Sequence, residues 1–149
     1  MKQADVHTQF GDLTVTEDQG AIIRVSWGVS GCADRSEALD AAVAQLQAYD
    51  AGELETFDLP IAVRGSQLQR DVCAEMSRIP FGQTITYGDI AKTLGVPAQA
   101  IGQACGGNPI PIIIPCHRVM GAKGLTGFSG AGGVETKVAL LRHEGGYLI

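Results

Sequence analysis

No two cysteines in this chain stand in a Cys-x-x-Cys pair. The four present (Cys32, Cys73, Cys105 and Cys116) lie far apart, which argues against a compact zinc site or a disulfide framework. No apolar stretch reaches the roughly 18 residues that span a bilayer. The opening Met1-Lys2-Gln3-Ala4-Asp5 has no signal-peptide core, so a cytoplasmic protein without membrane contact is expected. In that reducing compartment all four cysteines are expected as free thiols. A phosphate-binding Gly-Lys-Ser/Thr at the required spacing is missing. So are internal repeats and low-complexity tracts.

Charge is unevenly placed. The net value is −5 over 149 residues, which by itself speaks against a nucleic-acid binder. Residues 1–65 hold four Lys/Arg and eleven Asp/Glu, for −7. Residues 66–149 hold seven Lys/Arg and five Asp/Glu, for +2. A polyanion contact is therefore expected in the second half, with a modest electrostatic share.

The first half reads as strands, then a helix. Thr8 to Thr16 alternates, Asp18-Gln19-Gly20 is turn chemistry, and Ala21 to Trp27 reads as a second strand. Leu39, Val43, Leu46 and Tyr49 form a helical stripe, with Gly52 as a stop. Residues 53–65 read as an extended linker.

The second half is helix-rich. Ser66 caps a helix with the stripe Leu68, Val72, Met76, Ile79. Thr86-Tyr87-Gly88-Asp89 has capping-box spacing and opens a short helix to Leu94. Gly95-Val96-Pro97 turns the chain into a second short helix, Ala98 to Cys105. That is helix-turn-helix spacing, although such pairs also occur in proteins that never touch DNA. A last amphipathic helix is expected from Val134 to His143.

Asn108-Pro109-Ile110-Pro111-Ile112-Ile113-Ile114-Pro115-Cys116-His117-Arg118-Val119 ends an apolar, proline-rich run on a thiol beside an imidazole. Three prolines imply an extended path. Nucleophilic chemistry is one reading; an inert buried thiol is the other. In a strand, neighbouring side chains point to opposite faces, so coupling Cys116 to His117 needs a turn or a bridging water. Residues 121 to 133 then carry six glycines, which read either as backbone brought close to a ligand or as a plain surface loop.

Several motifs in order resemble the O6-alkylguanine-DNA alkyltransferase (methylated-DNA–protein-cysteine methyltransferase) family. They are Ile79-Pro80-Phe81-Gly82, Thr86-Tyr87-Gly88-Asp89-Ile90-Ala91, Gly107-Asn108-Pro109, Ile114-Pro115-Cys116-His117-Arg118-Val119, Gly127-Phe128-Ser129-Gly130 and Leu140-Leu141-Arg142-His143-Glu144-Gly145. The first half matches more loosely, through Gly11-Asp12-Leu13 and Tyr49 to Leu54.

The resemblance implies an α+β protein. Residues 1–62 would form a small mixed-sheet, ribonuclease-H-like lobe. Residues 65–149 would form a helical, winged-helix-like lobe with the helix-turn-helix. It implies a DNA repair protein that moves an alkyl group from O6 of guanine to Cys116, once per molecule. An alkyl-lesion sensor without transfer is the alternative. His117 would take the thiol proton through a water, Glu144 would hold the imidazole, and Asn108 would shape the turn and aid activation.

Tyr87, Val119, Phe128 and Ser129 would meet the base. Thr86, Gln99, Ala100 and Gln103 would lie on DNA. The partner implied is double-stranded DNA entered through the minor groove, with the damaged nucleotide flipped out. Neither metal nor organic cofactor is implied, and a monomer is expected. One departure stands out. Gln99 occupies the position of the arginine that fills the gap left by the flipped base, and Gln cannot stack as a guanidinium does.

Overall fold

In a computed structural model of the chain, residues 1–121 and 133–145 are described. The chain separates into two compact units, Met1–Arg64 and Gly65–Ile149.

The first unit holds three strands, β1 (Lys2–Thr8), β2 (Gly11–Asp18) and β3 (Ala21–Trp27), in the order β1-β2-β3. All pairings within this sheet are antiparallel. The mixed character expected of it reduces to one parallel bridge, Ile22 to Ile61. β1 is not legible as a strand from its residues alone, because polar and charged residues alternate with small ones along it. The β2–β3 turn places Gln19 and Gly20 at φ 53° and 82°. Both are left-handed, as a two-residue hairpin requires. Thr16 pairs with Arg24 but Glu17 pairs with Ile22. Ile23 is thus the extra residue of a bulge, and Glu17 keeps the phase of Leu13 and Val15.

Ser36 caps α1 (Glu37–Asp50), its hydroxyl accepting from the Leu39 amide. The helix buries Leu39, Ala42, Leu46 and Tyr49. They join a core with Val6, Leu13, Val15, Ile22 and Val25, each large side chain worth about 1.5–3 kcal/mol. Residues 53–65 are more than a linker. The Ile22 amide donates to Pro60 O at 2.7 Å and the Ala62 amide donates to Ile22 O at 3.0 Å. This segment therefore covers the edge of β3.

The other edge is covered too. Ala33 bridges Ala4 of β1, and the Asp5 carboxylate clasps the loop. It accepts from Thr14 Oγ1 (2.8 Å), Ser30 Oγ (2.6 Å) and the amides of Ser30 (3.0 Å) and Gly31 (2.9 Å). These donors, Ser30 first, pull its pKa down to about 2.

In the second unit, Ser66 caps α2 (Gln67–Ser77), which buries Val72, Cys73 and Met76. After it come β4 (Ile85–Thr86), α3 (Tyr87–Leu94) and α4 (Ala98–Gly106), then a single 3₁₀ turn (Cys116–Arg118), β5 (Val119–Met120) and α5 (Val134–His143). The capping box at the start of α3 is closed on both sides. The Asp89 amide donates to Thr86 Oγ1 (3.1 Å) and the Thr86 amide donates to Asp89 Oδ2 (2.9 Å). β4 and β5 pair in parallel, Ile85 with Val119 and Thr86 with Met120. Among the described residues no helix is long and apolar enough to cross a membrane.

Candidate active site

The proline-rich run does not follow the extended path its composition implies. It folds into a tight turn in which the Ile114 amide donates to Ile110 O at 2.9 Å. Ile112 sits at φ 72°, a left-handed conformation costly for a β-branched residue. Proline fixes φ alone, at a value turns also use, so the three prolines permit this bend. Asn108 holds it closed. Its Nδ2 donates to Ile114 O (2.8 Å) and its Oδ1 accepts from the Ile110 amide (3.0 Å). Both ends of the buried amide are thereby satisfied.

The bend delivers Cys116 into the 3₁₀ turn together with His117 and Arg118, all three buried. This supplies the turn that coupling the two neighbours requires. Burial pushes the Cys116 thiol up to about 11, against opposing pulls from the Asn108 side chain and the Lys137 charge. The thiol is therefore neutral at pH 7 in the resting protein, and ionisation needs an acceptor for its proton.

His117 adjoins Cys116 in the same 3₁₀ turn. It is fully buried, and burial holds its imidazole below the usual value, so it is uncharged at rest. Nε2 donates to Glu144 Oε2 at 2.7 Å. That assignment leaves Nδ1 as the basic nitrogen. Nδ1 is a buried side-chain atom with no hydrogen-bond partner among the described residues.

The Glu144 carboxylate is shared. Arg118 Nε donates to its Oε1 (2.8 Å) and Arg118 Nη2 to its Oε2 (3.0 Å). Arg118 Nη1 donates to Ile79 O at 2.7 Å, and the guanidinium lies 5.8 Å from the Phe81 ring centroid. Arg118 is thus fully engaged within the protein, as a structural partner. Gly82 allows this packing. Its φ is +82°, and a Cβ there would meet Glu144 O at 3.2 Å. Both facts demand glycine at the turn that ends α2.

Lys137 is a buried cation near this site that the sequence motifs do not single out. It is fully buried on α5, and its Nζ donates to Val119 O at 2.6 Å. The ammonium lies 5.9 Å from the Tyr87 ring centroid. Burial lowers its pKa, against the pull of Cys116 and Cys105. A signal exists in the sequence: Lys137 lies within the Val134, Val138, Leu141 stripe, where a charge has no place unless it is used. β4 pairing with β5 and the Lys137 bridge bring Tyr87, Val119 and Lys137 together. Val119 O, expected to face the base, already accepts from Lys137.

Thr86 is half-buried with its hydroxyl committed to the capping box. Gln99 and Gln103 are exposed on α4, and Ala100 is half-buried. The same helix turns Ile101, Ala104 and Cys105 inward. No charged residue occurs between Ala98 and Gly106, so the exposed face of this helix is neutral. Phe128 and Ser129 lie outside the described residues.

Comparison with known proteins agrees on one family. Residues 67–146 match "6-O-methylguanine DNA methyltransferase, DNA binding domain", and residues 1–63 match "6-O-methylguanine DNA methyltransferase, ribonuclease-like domain". The chain is 48% identical over 118 residues to the methylated-DNA–protein-cysteine methyltransferase of Mycolicibacterium paratuberculosis. That alignment covers 77% of this chain and 70% of the relative. It is 50% identical over 110 residues to the protein of the same name from Mycobacterium tuberculosis, over 72% of this chain and 66% of the relative. The crystal structure of Mycobacterium tuberculosis O6-methylguanine methyltransferase superposes with a TM-score of 0.85 at 37% identity, covering 99% of this chain and 94% of that one. The crystal structure of Mycobacterium tuberculosis OGT in complex with DNA gives 0.86 at 38% identity, covering 97% and 93%.

Proposed function

Since this chain belongs to the 6-O-methylguanine DNA methyltransferase family, we propose that it is a DNA repair protein that moves an alkyl group from O6 of guanine in DNA to its own Cys116. The observation that supports this most directly is the adjoining pair of buried groups, a neutral thiol and a neutral imidazole whose far nitrogen is held by a carboxylate.

The steps follow from that arrangement. The thiol proton leaves for His117 Nδ1, through a water, and Glu144 stabilises the imidazolium that forms. Sulfur attacks the saturated carbon on O6. The C–S bond forms as the C–O bond breaks; guanine keeps the electron pair and takes a proton from solvent, and the imidazolium returns its own proton to water. Lys137 favours the thiolate by charge. Its grip on Val119 O fixes the strand that would face the base. The Tyr87 hydroxyl would donate to the extruded base. The product is a thioether, which water does not cleave, so each molecule reacts once.

Helix α4 would lie along the minor groove of the duplex. With Gln99 where an arginine would stack into the gap, and no charge on the helix, affinity and salt dependence should both be low. Gln99→Arg should tighten binding and steepen the salt slope by about one unit, measured by mobility-shift titration at several salt concentrations. An unchanged slope would remove α4 from the interface.

Incubation with an O6-methylguanine duplex, followed by intact mass, tests the whole reading. One added methyl per molecule, mapped to Cys116, is expected. Cys116→Ala should gain none yet still bind DNA. Unchanged mass with tight binding would leave a lesion sensor, and repeated turnover a hydrolase.

A further inference from the structure

Helix α4 ends on buried residues, and a side chain from α2 closes that end. A helix leaves its last carbonyls without partners of its own, so a buried end needs donors from elsewhere. Ala104 and Cys105 are buried in the last turn of α4. The Ala104 carbonyl accepts from Gln69 Nε2 at 2.8 Å as well as from the Gly107 amide at 3.2 Å. Gln69 Nε2 also donates to Cys73 Sγ at 3.5 Å. Both donors of this half-buried amide are thereby committed.

The oxygen of the same side chain rests on the chain that leaves α4. A Cβ on Gly107 would come within 3.3 Å of Gln69 Oε1. Gly107 has an ordinary φ of −94°, so close approach, and not backbone freedom, is what favours glycine there. Gln69 is itself anchored in the first turn of α2, its backbone amide donating to Ser66 Oγ at 3.1 Å. The residue after Gly107 is Asn108. Its amide donates to Cys105 O at 3.2 Å, and its side chain closes the turn that delivers Cys116. Gln69 thus grips the backbone at Ala104 and lies against the residue from which Asn108 follows.

We propose that Gln69 is a positioning residue for alkyl transfer: its bond to Ala104 O and its seat against Gly107 fix the end of α4, and so the place from which Asn108 holds the Cys116 turn. This rests on the transferase reading above, but its first consequence concerns the thiol alone. Gln69 acts through Asn108 and not by contact with the reacting atoms. With Asn108 displaced, Cys116 loses a side-chain donor that favours the thiolate. Fewer molecules are then ionised at a given pH.

The test compares the full chain with Gln69→Met, which keeps the length and removes the donors. Iodoacetamide labelling of Cys116 is followed by peptide mass as a function of pH, with the buried Cys73 and Cys105 in the same digest reporting any opening of the fold. Labelling of Cys116 should slow roughly tenfold at neutral pH, its profile moving up by about one pH unit, while Cys73 and Cys105 stay as they were. A purely structural role predicts the reverse, because a loosened fold exposes all three thiols and labels them faster. Gln67→Met, at an exposed position of the same helix, should match the unaltered chain. If Gln69→Met fails to fold, Gln69→Glu, which sets an oxygen against Ala104 O, carries the same expectation. With an O6-methylguanine duplex, the saturating transfer rate should fall by the same factor at an unchanged half-saturating DNA concentration. An unmoved pH profile, or faster labelling of all three cysteines, overturns the proposal. An unaltered chain that labels normally yet gains no methyl from the duplex overturns the transferase reading instead, and the labelling comparison still decides whether Gln69 governs the thiol.

Discussion

The two units of this chain treat charge in opposite ways. In the first, ion pairs lie at the surface: His7 with Asp12, Arg35 with Asp40, Arg64 with Asp18, all with partly or largely exposed side chains. The second has one surface pair, Arg78 with Glu75, but its His117, Glu144 and Arg118 pair in the interior with side chains at most 8% exposed, and Lys137 is buried beside them. Surface pairs are screened and contribute little. Buried ones carry a desolvation penalty and are seldom kept for stability alone. The contrast locates the chemistry without reference to any motif. In the proposed function His117, Glu144 and Lys137 serve the thiol, and Arg118 steadies Glu144.

The sharpest way to break this comparison is to delete one carboxylate from each unit. Glu144→Gln strands Arg118 and removes the support of His117. It should cost about 3 kcal/mol or more, read from urea midpoints, and also stop alkyl transfer. Asp40→Asn should leave the midpoint unchanged within error. Equal losses would erase the distinction.

Lys137→Met keeps the volume and removes the charge. The Cys116 pKa should climb further above about 11, and the single-turnover rate at neutral pH should fall roughly tenfold for each unit of that rise. Binding of undamaged DNA should not change. A variant with normal rate would reduce Lys137 to a strut for Val119.

Acidity separates the units again. The folded pKa of His117 lies below its unfolded value of 6.5, so the unfolded chain binds the extra proton first. Its contribution is whole above 6.5 and is lost as pH falls through the lower folded value. The transfer rate should fall over that same acid range, since a protonated imidazole accepts nothing. Asp5 follows the same sign much lower. Its contribution is whole above 3.8 and disappears as pH falls toward about 2. Amide exchange in residues 28–33 should therefore quicken only there, the smallest effect of the set. Loop opening near pH 6 would contradict it.

Much of this is legible in the residues, for physical reasons. The Thr86–Asp89 box and the Val134–His143 helix depend on local chemistry that sequence spacing displays directly. So does the Gln19–Gly20 turn. Features that depend on distant partners stay hidden. β1 is a strand because β2 pairs with it, and its own residues say little. Residues 60–62 gain order from Ile22. The bend at Ile110 to Ile114 is closed by the Asn108 side chain, which composition cannot show. Lys137 stands out on an apolar stripe, but that its ammonium meets Val119 O shows only once the chain is folded. The positions of Cys116, His117 and Glu144 in the chain are readable. That one carboxylate serves both a base and a guanidinium is not.

Gly82 gives the whole arrangement an unforgiving tolerance. The proposed proton relay depends on a turn that follows α2 packing against the residue that ends α5, two stretches that chain order keeps far apart, and their clearance is one missing methyl group. Alanine there is the mildest lesion the position can suffer. It would still force the backbone carrying Glu144 to give by a few tenths of an ångström and demand a left-handed residue of a side chain that resists it. Damage at a site with no ionisable group of its own would then be read out as a slow sulfur.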